Sequence, residues 1–179
     1  MAAPRDPHAA EERAPWWPVG TAKFALLTAG TLGLYHLYWM YGNWLRMRER
    51  DHVPLSPLWR TCFAPVTAFR MFVRAKADAD AARVRAPWTP LWLAVAYFIA
   101  NLALFVAIPA YLAGPILLFA VLPAQVTMAK VNRAMAPGAP RNDRLTAMNL
   151  AVLALGIGAT WLIYAQQRQF DALLQEWAP

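Results

Sequence analysis

His36, Met40 and Asn43 recur at i, i+4 and i+7, a spacing that sets all three on one face of a helix inside an otherwise apolar run. Asn101, Gln125 and Asn149 each lie in a further apolar run. A histidine in such surroundings can act as a base or relay a proton, and amides there can hold a polar ligand, so His36, Asn43, Asn101, Gln125 and Asn149 are the candidates for intramembrane chemistry. The plainer use of such residues, and the favoured one, is hydrogen bonding between helices. Their surroundings add little chemistry. Of three histidines only His36 is inside an apolar run, so a His-based metal site has no second ligand there. The single Cys62 excludes an intramolecular disulfide and a cysteine zinc cluster. The apolar runs contain no Asp or Glu, and neither a nucleophile elbow nor a phosphate-binding glycine loop is present. The sequence therefore predicts no catalytic set, cofactor or metal. It argues against proton-coupled transport and carboxylate-dependent hydrolysis.

A second pattern concerns surfaces. Residues 33–50, GLYHLYWMYGNWLRMRER, pass from an apolar half through Tyr35, Tyr38, Trp39, Tyr41 and Trp44 to Arg46, Arg48 and Arg50. This is the order of environments met on leaving a bilayer toward an anionic surface. Tyr38, Trp39 and Trp44, with Arg46, Arg48, Arg60 and Arg70, are accordingly the candidates for lipid-headgroup contact. Anchoring of depth and orientation is their simpler role.

The elements that must carry these residues are helices. Apolar residues make up 59% of 179 positions, above the 45–50% usual for soluble domains, and nine Trp with six Tyr suit an interface. The net charge of +7 suggests nucleic acid at first. However, the basic residues border apolar runs and form no recognition motif, so an anionic bilayer surface is the expected partner. Residues 91–128 carry no charge, and one helix of that length would span roughly 57 Å, almost twice the hydrocarbon core. The run must turn, at Pro109 and Gly114-Pro115. The expectation is an all-α membrane bundle with spans over 19–43, 90–108, 112–129 and 145–165. Residues 56–76 form a cytoplasmic interfacial amphipathic helix, kinked at Pro65, with Leu58, Cys62, Val66, Phe69 and Val73 as its apolar strip. Residues 1–16, rich in Ala, Pro and charge, read as a disordered tail, leaving 17–179 as one membrane domain. The two loops between spans one and two and between three and four hold thirteen of the seventeen Lys and Arg, which makes them cytoplasmic and both termini external. If the first segment is instead re-entrant, the N-terminus moves inside and three spans remain.

The GLYHLYWMYGNW segment resembles the aromatic signature of a family of uncharacterised multi-pass inner-membrane proteins of Gram-negative bacteria, a domain of unknown function. Ser56, Pro57, Arg60 and Phe63 resemble a second element of that family, Leu122, Pro123, Gln125 and Asn132 a third, and Asn149 an asparagine opening its last span. The resemblance implies a bacterial inner-membrane location and brings no established activity. The leading expectation is a non-enzymatic component that binds anionic phospholipid or a membrane partner. The alternatives are an oligomeric transporter or channel subunit, built as a homo-oligomer, and, less favoured, a lipid-modifying enzyme with His36 as base.

Overall fold

The computed structural model describes residues 13–106 and 108–176. Among these the chain is entirely helical, with no strand. The helices are α1 (Thr21–Gly30), α2 (Leu34–Asp51), α3 (Pro57–Cys62), α4 (Ala64–Ala81), α5 (Pro90–Val106), α6 (Ala113–Met135) and α7 (Ala147–Glu176), with a 3-10 turn at Ala110–Leu112. Residues 1–12 of the expected tail lie outside the described residues. The remainder of that stretch is packed rather than loose, because Ala14 and Trp16 are buried in the core.

The first apolar run is not one helix. It breaks at residues 31–33, where Leu32 and Gly33 take left-handed backbone angles (φ 53° and 82°). Thr31 stabilises the break from both sides: its hydroxyl donates to the Leu27 carbonyl at 2.6 Å and accepts from the Tyr35 N–H at 3.0 Å. The chain then folds back, and the Phe24 ring sits 5.1 Å from Trp39 and 6.2 Å from Tyr35. The single span expected over 19–43 is therefore corrected to a helical hairpin. Its inward arm, α1, is ten residues, or about 15 Å, half of a hydrocarbon core. Both outer ends of the hairpin emerge together: the Trp17 N–H bonds Asn43, and the Arg50 guanidinium lies 5.3 Å from the Trp16 ring.

Helix α6 is the post around which the rest is assembled, in contact with α1, α2, α4 and α5. It runs antiparallel to α1, so Gly114 meets the backbone of Thr28 and Ala29 at one end while Asn132 meets Trp16 at the other. The expected turn within residues 91–128 is present. Helix α5 ends at Val106, Pro109 precedes the 3-10 turn, and α6 returns so that the Trp88 indole N–H donates to the Thr127 hydroxyl at 3.0 Å. Helix α7 begins where expected and runs on to Glu176, past the predicted end at 165. It leans on α1 and the 3-10 turn through Gly156 against Gly30 and through Tyr164 against Tyr111 (5.3 Å).

The stretch 56–76 is two helices meeting at Phe63. Ser56 caps α3, accepting from the Trp59 N–H at 3.3 Å, with Pro57 at the first turn; Pro65 opens α4. Helix α4 is more deeply engaged than an interfacial helix needs to be. Ala64, Ala68, Met71, Phe72, Ala75 and Ala79 form a buried face against α5 and α6. Leu58, Cys62, Val66, Phe69 and Val73, the predicted strip, all face outward. Arg50, Asp51, Arg74 and Asp78 tie the end of α2 to α4 by ion pairs of 2.8–3.4 Å.

Two segments, Ala110–Met135 and Ala147–Glu176, are long and apolar enough to cross a membrane, and α5 is a shorter apolar helix. Close approach of α1 to α6 depends on Gly114, where a Cβ would overlap the Ala29 carbonyl, whereas Gly158 has open space. Gly114→Ala should lower stability in detergent by about 1–3 kcal/mol, and Gly158→Ala should leave the melting temperature unchanged. Equal melting curves for the two variants would contradict this packing.

Candidate functional site

The predicted polar residues do not converge on one cluster. Two of them, Asn43 and Gln125, instead line a slot with Asn132, and it holds residues 16–19 against α2 and α6. The Asn132 side chain pairs with the Trp16 backbone both ways, accepting its N–H at 2.9 Å and donating to its carbonyl at 3.0 Å. Asn43 accepts the Trp17 N–H at 2.9 Å and anchors its own amide on the Trp39 carbonyl at 2.9 Å. Gln125 donates to the Val19 carbonyl at 2.9 Å and accepts from the Trp39 indole N–H at 2.6 Å. Asn43 and Gln125 are fully buried, and every polar atom named here has a partner. Gln125 and Asn132 stand two turns apart on α6, which puts both on one face.

His36 is also buried and fully engaged. Its Nδ1 faces the Gly33 carbonyl, and its Nε2 is 2.8 Å from the Tyr97 hydroxyl. A carbonyl only accepts, so Nδ1 carries the proton and Nε2 accepts from Tyr97. Tyr97 also approaches the Met40 sulfur at 3.9 Å, so His36 and Met40 of the predicted face meet the same α5 residue. The triad joins the hairpin tip to α5 and leaves the imidazole no free nitrogen for a substrate. Asn101 donates to the Tyr97 carbonyl one turn back at 2.8 Å. Asn149 belongs to the start of α7, where it and Thr146 exchange hydrogen bonds of 3.1–3.3 Å as a capping pair.

The aromatic and basic candidates separate into two groups. Trp39 and Trp44 are wholly buried and act as core residues, which corrects their assignment to headgroup contact. Tyr38 is exposed. Arg60 stacks over Trp44 at 4.8 Å and Arg46 lies 5.9 Å from Trp17, so each lends its plane to covering an indole. Arg48 and Arg70 are exposed. Gly42 makes room for Trp17, whose ring occupies the space a Cβ would need. Among the described residues no group of three His, Cys, Asp or Glu is placed to hold a metal ion.

Nothing in the sequence pattern singles out Tyr97, and Asn132 enters only through the family resemblance. Lys23, which interrupts the first apolar run, is 5% exposed. Its Nζ donates to Asn142 Oδ1 at 2.8 Å and to the Arg144 carbonyl at 2.9 Å. A lysine one turn into an apolar helix is a signal that could have been followed.

Removing an amide from the slot strands buried backbone groups. Gln125→Leu and Asn132→Leu should each cost about 1–3 kcal/mol and speed proteolytic cleavage near residue 17. Asn101→Leu, which removes a hydrogen bond within α5 and none to the slot, should do neither. Unchanged cleavage in the first two variants would show that the slot does not hold residues 16–19. The chain matches no protein-family model, no curated protein and no solved structure.

Proposed function

We propose that this protein is a non-enzymatic, multi-pass component of the bacterial inner membrane, of the family its aromatic signature resembles, which binds anionic phospholipid at the cationic end of its bundle. The observation that carries this reading is the surface of α7. Over 30 residues it buries none, and Leu155, Ile157, Trp161 and Leu162 are all open. Phe105, 92% exposed, and Val106, Ile99 and Trp92 leave a second apolar face open on α5. Exposed apolar faces of this extent call for lipid.

The hairpin alters the arrangement across the bilayer. Its two outer ends share one side of the molecule, and Lys23 brings the loop at Asn142 and Arg144 to that same side. Arg13 and Lys23 then join the cytoplasmic set, and among the described residues Arg168 alone of the Lys and Arg remains opposite. Three crossings, α5, α6 and α7, place the N-terminus inside and the C-terminus outside. At 17 residues α5 is about 26 Å long, short for a crossing and helped by the 3-10 turn that follows it. The outward strip of α3 and α4 lies in the inner leaflet, with Arg48 and Arg70 free for phosphates.

In a Cys62→Ser background, Arg13→Cys should resist a membrane-impermeant maleimide applied to intact spheroplasts, and Gln175→Cys should react. Labelling of Arg13→Cys from outside would restore a full first span. In native mass spectrometry the protein should retain anionic over zwitterionic phospholipid. Arg48→Ala/Arg70→Ala should reduce that preference by about 1 kcal/mol per arginine removed. An unaltered preference would remove the lipid-binding function.

A further inference from the structure

A cavity of about 620 Å³ forms a groove between α1, the start of α2 and α7, away from the outer arginines. Its two ends differ in chemistry. One end holds Lys23, Asn142 and Asn149; the other is walled by Leu32, Leu155 and Ala159. From Asn149 to Ala159 the α7 wall rises about 15 Å at 1.5 Å per residue. That is the depth of one leaflet, half of a ~30 Å hydrocarbon core.

The charge at the polar end makes no ion pair among the described residues. Lys23 is 5% exposed, and its Nζ meets two neutral oxygens, Asn142 Oδ1 and the Arg144 carbonyl. An ammonium has three donors, so one is left. Among the described residues it forms no ion pair: the four acid groups that do pair are Glu49, Asp51, Asp78 and Asp80, all with other partners. Asp143, adjacent in sequence to Asn142, packs its carboxylate on Gly20 at the start of α1. Holding a cation out of water beside apolar side chains is costly without an anion, and a surrounding bilayer deepens that cost.

From this charge complementarity and this depth we infer that the groove is a binding site for one inner-leaflet anionic glycerophospholipid. The phosphate accepts the third Lys23 N–H, and one acyl chain lies along α7 toward Leu155 and Ala159. The polar end lies on the side of the basic loops and the apolar end at the hairpin tip, which is the direction a lipid of that leaflet points. The site rests on the bilayer arrangement proposed above but uses none of the outer arginines.

Native mass spectrometry of the intact chain in detergent, titrated with phosphatidylglycerol and with phosphatidylcholine of the same chains, tests this. Wild type should hold one phosphatidylglycerol that survives the activation stripping all others. Lys23→Gln should weaken that one lipid about tenfold, the loss of one charge-assisted hydrogen bond, and Lys23→Arg should keep it. Val152→Trp, which fills the groove from its exposed wall, should abolish it. Melting curves of each variant establish folding. Inorganic phosphate should not compete; competition by phosphate alone would reduce the site to an anion hole and overturn the lipid. Retention of the tight lipid in both Lys23→Gln and Val152→Trp would overturn the site. A wild-type dimer that Val152→Trp dissociates would give the groove to a second copy of the chain and likewise overturn it. If wild type holds no anionic lipid of any kind, the broader lipid-binding function falls too; tight-lipid insensitivity with an intact loose shell removes this site alone.

Discussion

Residues 16–19 run outside any helix through partly buried surroundings, so no helical ladder satisfies their peptide groups. Such groups need other partners. Asn43, Gln125 and Asn132 bond four of them, the Trp16 N–H and C=O, the Trp17 N–H and the Val19 C=O, and much else follows from that supply. Asn132 and Gln125 must be two turns apart on α6, Asn43 must face them from α2, and α2 must return beside α6 after the turn at Gly33. Trp39, wedged between Phe24 and Gln125, completes the seal with its indole N–H. These three amides thus serve the backbone, and their burial costs little because each is paired.

The break at residues 31–33 is the geometrical counterpart of this constraint. A full-length first helix would carry residues 16–19 to the opposite side of the molecule from Asn132. With α1 stopped at ten residues, both the entry and the exit of the hairpin reach the same end of α6. Gly33 supplies the left-handed angle, Thr31 closes the backbone on either side, and Gly114 allows the tip to sit close against α6. The groove beside Lys23 lies between this short arm and α7.

Much of the architecture was legible in the sequence. The uncharged run of residues 91–128 had to fold back on length alone, and its turn falls at Pro109. The strip of Val66, Phe69 and Val73 followed from helical period, and the kink expected at Pro65 falls two residues earlier, at Phe63. The hairpin break was legible only as an alternative, because residues 19–43 have the length and hydropathy of a span and neither measure senses a left-handed glycine. Trp39 and Trp44 were misassigned for a related reason. An indole at an interface and an indole in a core have the same composition, and only the positions of Phe24, Gln125 and Arg60, distant in sequence, separate the two. Lys23 was passed over because a cation near a helix start is ordinarily solvated, and the loop that covers it lies some 120 residues later.

That same separation has a consequence for how the protein is made. The partners of Trp16 and Val19 lie 116 and 106 residues further along the chain. A growing polypeptide therefore exposes its first hydrophobic segment long before Gln125 and Asn132 have been synthesised, and contacts of such long range close late. Until then the hairpin has its Thr31 turn but no amides to receive the strand that leads into it. Residues 16–19 are locked only when α6 arrives, and Lys23 only when the loop after α6 does.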